Sequence, residues 1–208
     1  MKKYLIHRIN NFIESEDIWE QSIVLKDFSH PWRSESAKET CFRALYDTKY
    51  LYLRYDVKDE NINIFSKTGS KIEVVKSDRV EIFFRKNNQL EPYYCLEIDP
   101  NGKILDYSAS YYRKFDYSWV WPKGQLFVEG FSNSKGYRVD VKISLESLEE
   151  LDLLHNKTIE VGIFRADCTT LLTDDEGDSS IKWISWVDPK TQTPDFHVPS
   201  SFGVLELT

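Results

Sequence analysis

A short acidic stretch near the C-terminus has the residue types of a cation site. Asp174, Asp175 and Asp178 crowd around Gly177 in "TDDEGDSS". Calcium is a hard ion that takes about 6–8 oxygen ligands, and several carboxylates on one loop supply such oxygens. The spacing differs from a helix-flanked EF-hand loop, and charged loops are commonly just solvated. A calcium site and a solvated acidic loop are therefore both open.

A second group of candidate residues lies in the C-terminal arm, which we define as residues 184–203. Its sequence, "ISWVDPKTQTPDFHVPSSFG", begins like a strand and then carries Pro189, Pro194 and Pro199 without a helical period. Proline fixes φ and limits the freedom of the arm, and an apolar ring on a surface segment needs a contact. Phe196 is therefore predicted either to stack on a ligand or to pin the arm to the rest of the fold.

Two tryptophans precede the prolines of the arm. Trp183 and Trp186 are three residues apart, so in a strand their indoles point to opposite faces and one of them belongs to the core. We predict that Trp186 supports or lines a ligand cleft under the arm, with burial in the core as the open alternative.

Seven aromatic residues crowd into one further segment, "DYSASYYRKFDYSWVW", within residues 106–121. Part of this segment must be edge strand or cover for the core. Its aromatic density makes it the second predicted ligand-facing element, with Trp119 as a stacking ring and Arg113 as the polar partner.

Period-two alternation dominates the chain that must position these groups. It is clear in "YLYLRYDV", "RVEIFFR", "YYCLEID" and "GYRVDVKI", and turn residues separate these segments. Only "SLESLEELDLL", residues 144–154, has a helical pattern. These features predict an all-β fold, an antiparallel β-sandwich with one short helix, as a single domain over residues 1–208.

Charged and aromatic residues alternate on the strand sides opposite to the predicted core. If their strands are neighbours, they form one polar-aromatic sheet face, which predicts a concave binding surface. Its members are Tyr50, Tyr52, Arg54, Asp56, Arg79, Glu81, Phe83, Arg85, Tyr93 and Glu97.

Charge and cysteine content exclude several classes of protein. The formal charge is −7, no basic cluster is present, and a phosphate backbone needs such a cluster, so nucleic acid is not an expected partner. No apolar run reaches the length of a membrane span. The first residues lack the apolar region of a signal peptide, which leaves a cytoplasmic or a processed extracytoplasmic location. The odd count of three cysteines favours buried free thiols over a disulfide framework.

The order of several motifs resembles the family 9 carbohydrate-binding modules, in particular their family 9-like branch. "YDTKYLYLRYDVKDENI" and "SDRVEIFFRKNN" resemble the front half of these modules, and "ISWVDP" with "DFHVPSSFGVLEL" resembles their C-terminal end. The resemblance spans nearly the whole chain. It implies a β-sandwich that binds an oligo- or polysaccharide without catalysis and serves glycan degradation.

The resemblance also implies where a sugar binds. In better-known members the sugar sits between two tryptophans, while Glu, Arg and amide side chains bind its hydroxyls. The family glutamate matches Glu81, and the second clamp position falls on Phe196. The first clamp position falls near Val75, which cannot stack, and the site arginine falls near Glu97, which reverses the charge.

Other functions remain open from the residues alone. A sandwich glycosidase is suggested by "EIDPNG", since Glu97 and Asp99 match the first two acidic positions of the E-x-D-x-x-E motif of retaining β-glucanases. The third position falls on Gly102, so that carboxylate pair is incomplete. A scaffold module that binds protein is equally compatible with a polar-aromatic surface.

Overall fold

This computed structural model describes residues 1–10, 15–170 and 180–208. Within these residues the chain forms thirteen strands and a few short helices. The strands follow the alternation of apolar and polar side chains, because that period sets one side of each strand against a core. In chain order they are β1 (Lys3–Arg8), β2 (Thr40–Tyr46), β3 (Tyr50–Lys58), β4 (Arg79–Arg85), β5 (Tyr93–Ile98), β6 (Ile104–Ser110), β7 (Lys114–Asp116), β8 (Leu126–Asn133), β9 (Gly136–Ser144), β10 (Leu154–His155), β11 (Thr158–Cys168), β12 (Ile181–Ser185) and β13 (Gly203–Leu207).

The strands join into one mixed sheet in which the first and last strands are neighbours. Its hydrogen-bonded order is β7-β6-β5-β4-β11-β13-β1-β2-β3-β9-β8, and β10 and β12 also pair with β11. β1 runs parallel to β13, with Lys3 opposite Val204, and parallel to β2, with His7 opposite Leu45. The all-β prediction is confirmed, but the prediction of purely antiparallel strands is wrong for β1. Alternation encodes which side of a strand is buried and not the direction of its partner.

The two halves of this sheet contribute to the same main core. Half-sheet I comprises β4–β7 and β10–β13, half-sheet II comprises β2, β3, β8 and β9, and β1 connects them. Ile82 and Ile163 of half-sheet I and Leu53 and Val139 of half-sheet II are fully buried in this core. Leu53, Ile82 and Val139 lie on the inward side that the alternation in "YLYLRYDV", "RVEIFFR" and "GYRVDVKI" predicts.

The predicted short helix is present as α1, Leu145–Glu150. The hydroxyl of Ser144 accepts a hydrogen bond from the backbone N–H of Ser147 at 3.0 Å, which satisfies an unpaired donor of the first turn. Asp152 adopts a positive φ of 57°, so the helix ends well before residue 154. Short 3₁₀ helices span Glu16–Gln21, Lys71–Lys76 and Pro199–Ser201. No described helix is long and apolar enough to cross a membrane.

A second, smaller core lies on the other side of half-sheet I. Phe83, Tyr107 and Phe164 point to this side and are buried under the C-terminal arm and the 3₁₀ helix Lys71–Lys76. Every residue of β4 is consequently buried, whichever way its side chain points.

This burial corrects the prediction of one polar-aromatic binding face. β3 and β4 are not neighbours, because β11, β13, β1 and β2 lie between them. Tyr52 and Arg54 are on the outer side of half-sheet II, whereas Glu81 and Phe83 are on the covered side of half-sheet I. The predicted face is therefore two separate surfaces, and one of them is largely enclosed.

The three cysteines are free and buried, as the odd count predicts. Burial raises the pKa of the Cys168 thiol to about 12 and that of Cys95 well above its ordinary value. Such thiols are protonated at neutral pH and behave as small apolar groups.

Candidate functional site

The C-terminal arm lies against the covered side of half-sheet I and is held there by ring contacts. Phe196 stacks on Phe164 with centroids 4.0 Å apart and an interplanar angle of 10°. The next residue, His197, stacks on Phe83 at 5.0 Å and shares a 3.0 Å hydrogen bond with the hydroxyl of Tyr93. Two consecutive residues of the arm are therefore anchored on two neighbouring strands, β11 and β4.

Polar contacts secure the arm on either side of these rings. Arg113 forms an ion pair with Asp195 at 3.2 Å, and Trp32 donates from its indole N–H to the carbonyl oxygen of Thr191 at 2.9 Å. Arg85 donates to the carbonyl oxygen of Pro199 at 2.7 Å. The arm is thus a built part of the fold.

His197 stays neutral in this position. Burial and the nearby Arg113 lower the pKa of its imidazole to about 3, against a smaller opposing effect of Asp195. A neutral ring is compatible with stacking in the aromatic cluster, where a charge would lack solvation.

Beside the arm, three charged side chains form a buried trio. Arg79 contacts Glu81 at 2.9 Å and Glu97 at 2.7 Å through Nε, and all three side chains are less than a tenth exposed. Glu81 and Glu97 are directly opposite each other in the β4–β5 register. Burial alone would lower the pKa of Arg79, but the two carboxylates outweigh it and raise that pKa. One guanidinium therefore holds two carboxylates in a place where the sequence pattern predicts an open, polar-aromatic strand face.

Partly exposed side chains surround the trio. The ring of Trp183 lies 5.2 Å from the guanidinium carbon of Arg79, and Arg79 also donates to the carbonyl oxygen of Val75 at 2.9 Å. The hydroxyl of Tyr107 donates to Glu97 at 2.8 Å, and the exposed Tyr117 packs on the ring of Tyr107 at 5.2 Å. We call this group the Glu81 site: the buried trio of Arg79, Glu81 and Glu97 together with the neighbouring, more exposed Val75, Trp183 and Tyr117, which we call its rim.

The chemistry of the Glu81 site suits binding. Carboxylate oxygens and guanidinium N–H groups are the acceptors and donors that hydroxyl groups need, and the rim supplies ring faces for C–H groups. The geometry does not favour a hydrolytic pair with Asp99, because Oδ1 of Asp99 accepts from the backbone N–H groups of Asn101 and Lys103, each at 2.9 Å. Asp99 is thus engaged in the turn before β6.

The structure brings together three of the five predicted ligand-binding residues. Glu81, Phe196 and Arg113 all lie on the arm side of half-sheet I, since Phe164, on which Phe196 stacks, is opposite Glu81 in the β4–β11 register. Phe196 is 5% exposed, so its ring packs mainly on protein. Its role as a ligand contact stays a prediction.

The other two predicted residues lie on the side of the main core. Trp186 is 1% exposed within that core, and Trp119 packs against it next to Tyr94 at 4.9 Å. The prediction that Trp186 lines a ligand cleft under the arm is therefore wrong, and Trp183, three residues away, takes the outward position. Alternation correctly separates the two indoles, but nothing in it says which one faces the core.

The predicted calcium ligands Asp174, Asp175 and Asp178 lie outside the described residues. Among the described residues, three buried carboxylates of Asp59, Asp78 and Asp167 approach within 4.8 Å of one another.

Two cationic side chains already serve this described cluster. Lys38 contacts Asp59 at 2.9 Å and Asp167 at 2.8 Å, and the Arg165 guanidinium pairs with Asp59. The carboxylate of Asp78 accepts from two backbone N–H groups, and burial raises its pKa to about 6. The donor set therefore fits an internal ion-pair network better than a metal site.

Comparison with known proteins places this geometry in a family. Residues 14–208 match the sequence model of the family described as Carbohydrate family 9 binding domain-like. Exoglucanase XynX of Acetivibrio thermocellus is 26% identical over 195 residues, which is 93% of this chain. The chain spans 16% of the length of that relative.

Two solved structures of a family 9 carbohydrate-binding module from Caldicellulosiruptor kristjanssonii share the fold. The complex with glucose has a TM-score of 0.60 at 17% identity and covers 100% of this chain and 96% of the other. The complex with cellotriose has a TM-score of 0.60 at 16% identity and covers 99% of this chain and 93% of the other.

The family match extends over nearly the whole chain and confirms the resemblance that the motifs indicate. It also decides between the open functions, because modules of this family bind carbohydrate without cleaving it. The chain belongs to the Carbohydrate family 9 binding domain-like family and is a non-catalytic carbohydrate-binding module.

Proposed function

We propose that the Glu81 site holds one unit of a neutral, glucose-based oligosaccharide. The observation that carries this proposal is the buried Arg79–Glu81–Glu97 trio next to the partly exposed ring of Trp183. The ligands of the Caldicellulosiruptor kristjanssonii module, glucose and cellotriose, support the choice of sugar.

The division of labour within the site follows from its chemistry. The trio offers charged hydrogen-bond partners that are already desolvated and fixed in position. Binding a sugar hydroxyl therefore costs little free energy for ordering these side chains. The indole of Trp183 and the phenol of Tyr117 cover the C–H face of the sugar ring. Val75 supplies no ring at the first clamp position, and in this proposal Trp183 supplies the stacking ring instead.

The chain acts, in the same proposal, as a targeting module of a larger polysaccharide-degrading protein. Its relative is an exoglucanase of which it spans only a small part. Binding to an insoluble glycan keeps an attached catalytic domain near its substrate, which raises the effective concentration of substrate without any new catalytic contact.

Glu81→Gln tests the site. We expect the affinity for glucose and cellotriose to fall about tenfold, because a charged hydrogen bond to the sugar becomes a neutral one. Isothermal titration measures the affinity, and a thermal melt checks the fold, which should persist because Glu97 still neutralises Arg79.

Glu160→Gln is the matched control, since it makes the same chemical change on the adjacent strand β11 and contacts Arg85 instead of the trio. Its sugar affinity should equal that of the wild type. A folded Glu81→Gln variant that binds both sugars normally would place the sugar elsewhere.

We retain calcium binding by Asp174, Asp175 and Asp178 as a proposal that rests on the sequence alone. If an ion binds there, chelation with EDTA should lower the melting temperature, because a ligand that binds only the folded state stabilises it by about 2.7 kcal/mol at 100 times its Kd. The double variant Asp175→Asn/Asp178→Asn should melt equally with and without the chelator. Identical melting of the wild type in calcium and in EDTA would mean that this stretch is a solvated acidic segment.

A further inference from the structure

The outer side of half-sheet II carries a groove that the Glu81 site does not use. The groove has a volume of about 690 Å³ and is floored by β3 and β9, with β8 along one side and Trp19 at the other. A second hollow of about 350 Å³ begins at Phe131 and Arg138, which line both. The two together form a trough along the strands, which we call the outer groove.

The arginines on the floor of the outer groove are paired with carboxylates, and Lys142 lies 4.4 Å from the centroid of the Phe127 ring. Arg54 forms a bidentate pair with Asp140, with both distances 2.7 Å, and contacts Glu16 at 2.9 Å. Arg138 contacts Glu16 at 2.6 Å and Asp56 at 2.8 Å. An anionic ligand would have to displace these carboxylates, so the floor favours a neutral ligand with many hydroxyl groups.

Two exposed rings stand above this floor on the edge strand β8. Phe127 and Phe131 are 45% and 53% exposed, and they point to the same side because they are four residues apart in a strand. At about 3.3 Å per residue their positions are separated by about 13 Å, which is longer than one pyranose ring. Glu129 lies between them on the same side, so the strand presents ring, carboxylate and ring in sequence.

The inner side of β8 is pinned, which keeps these rings outward. A Cβ added at Gly130 would lie 2.3 Å from the backbone nitrogen of Gly102, so the turn between β5 and β6 packs directly on the backbone of β8. Phe127 and Phe131 consequently cannot turn inward to the core by a rotation of the strand.

We propose that the outer groove is a second carbohydrate-binding site, which takes a linear chain of several neutral pyranose units lying along β8. Phe127 and Phe131 stack on the faces of two units, and Glu129 with the Arg54–Asp140 pair binds hydroxyl groups between them. The inference rests on the proposed function only for the class of ligand, since the groove and the Glu81 site lie on different halves of the sheet.

The geometry disfavours a protein partner in the same place. An added peptide strand gains its affinity from backbone hydrogen bonds at a sheet edge, whereas this groove lies on the face of the sheet. An apolar protein surface packed on the groove would bury Glu129 and the charged floor without new hydrogen-bond partners, and this burial costs free energy. A sugar chain satisfies both features, because it alternates apolar faces and hydroxyl groups.

Titration of four proteins with glucose and cellohexaose tests the proposal. The proteins are the wild type, Glu81→Gln, Phe127→Ala/Phe131→Ala and the triple combination. We expect Glu81→Gln to bind glucose about tenfold more weakly and to retain cellohexaose binding through the groove. The Phe127→Ala/Phe131→Ala pair should leave glucose affinity unchanged. The triple combination should bind cellohexaose at least about tenfold more weakly than Glu81→Gln, because two stacking contacts are gone.

The outcomes separate the two sites. If Glu81→Gln abolishes all binding of cellohexaose, or if the triple combination binds it as well as Glu81→Gln does, the groove is not a sugar site. A different result would be that the wild type binds cellohexaose but not glucose, and that Phe127→Ala/Phe131→Ala removes the cellohexaose binding. This result would support the outer groove as a sugar site and contradict the proposal for the Glu81 site. Val120→Ala, an exposed apolar truncation outside both sites, should match the wild type throughout. Self-association in sedimentation that the double variant removes would reassign the groove to contact between copies of this chain.

Discussion

Phe196→Ala should lower the free energy of unfolding by about 3–5 kcal/mol, the cost typical of removing a buried phenylalanine ring. The ring is 5% exposed and stacks on Phe164, and the edge of Trp183 and the ring of Trp32 enclose it. Its removal leaves a cavity that the proline-stiffened arm cannot easily collapse to fill. Urea unfolding of the variant and the wild type measures the difference.

Phe131→Ala is the matched control, since it deletes the same atoms from a ring that is half exposed. Its free energy of unfolding should stay within about 0.5 kcal/mol of the wild-type value. Equal stability of Phe196→Ala and Phe131→Ala would mean that the Phe196 ring does not hold the C-terminal arm on the fold. A loss of sugar affinity in folded Phe196→Ala would assign the ring to ligand binding.

The same unfolding curves test the proposal of one domain over residues 1–208, which requires a single unfolding transition.

Arg79→Met should destabilise the protein by about 3–5 kcal/mol at pH 7, because it leaves two buried carboxylates without their cation. Arg79 is the shared partner of Glu81 and Glu97, which are both less than a tenth exposed. Its raised pKa means that this contribution is present at every pH below the ordinary pKa of arginine. Urea unfolding of the variant and of the wild type at pH 7 measures the difference.

The combination Arg79→Met/Glu81→Gln/Glu97→Gln distinguishes lost charge compensation from lost packing. It removes the orphaned charges together with the cation, so most of the wild-type stability should return. A triple combination as unstable as Arg79→Met alone would show that Arg79 stabilises the fold through its packing, for example against the ring of Trp183.

Local properties of this protein were accessible from its sequence. The inward sides of β3 and β9 are as the alternation predicts, with Leu53 and Val139 fully buried, and the serine at the start of α1 caps it. These features depend on residues two to four positions apart, where side-chain direction is set by the backbone geometry of the element. The same holds for the separation of Trp183 and Trp186 to opposite sides of one strand.

Sequence by itself thus determined which residues form strands, which side of each strand is apolar, and through the order of its motifs which family the chain resembles. Only the tertiary structure decided what covers the other, more polar side of each strand. Glu81 looks like a solvated strand residue but is buried, because β4 lies inside half-sheet I and the C-terminal arm packs on its outer side. Arg54 has the same local pattern and is also 7% exposed, but it lines the outer groove, because the 3₁₀ helix Glu16–Gln21 packs on only part of the outer side of β3. Period-two alternation specifies only which of the two sides of a strand each side chain occupies. The pairing of strands and the segments that cover them depend on contacts between residues far apart in the chain.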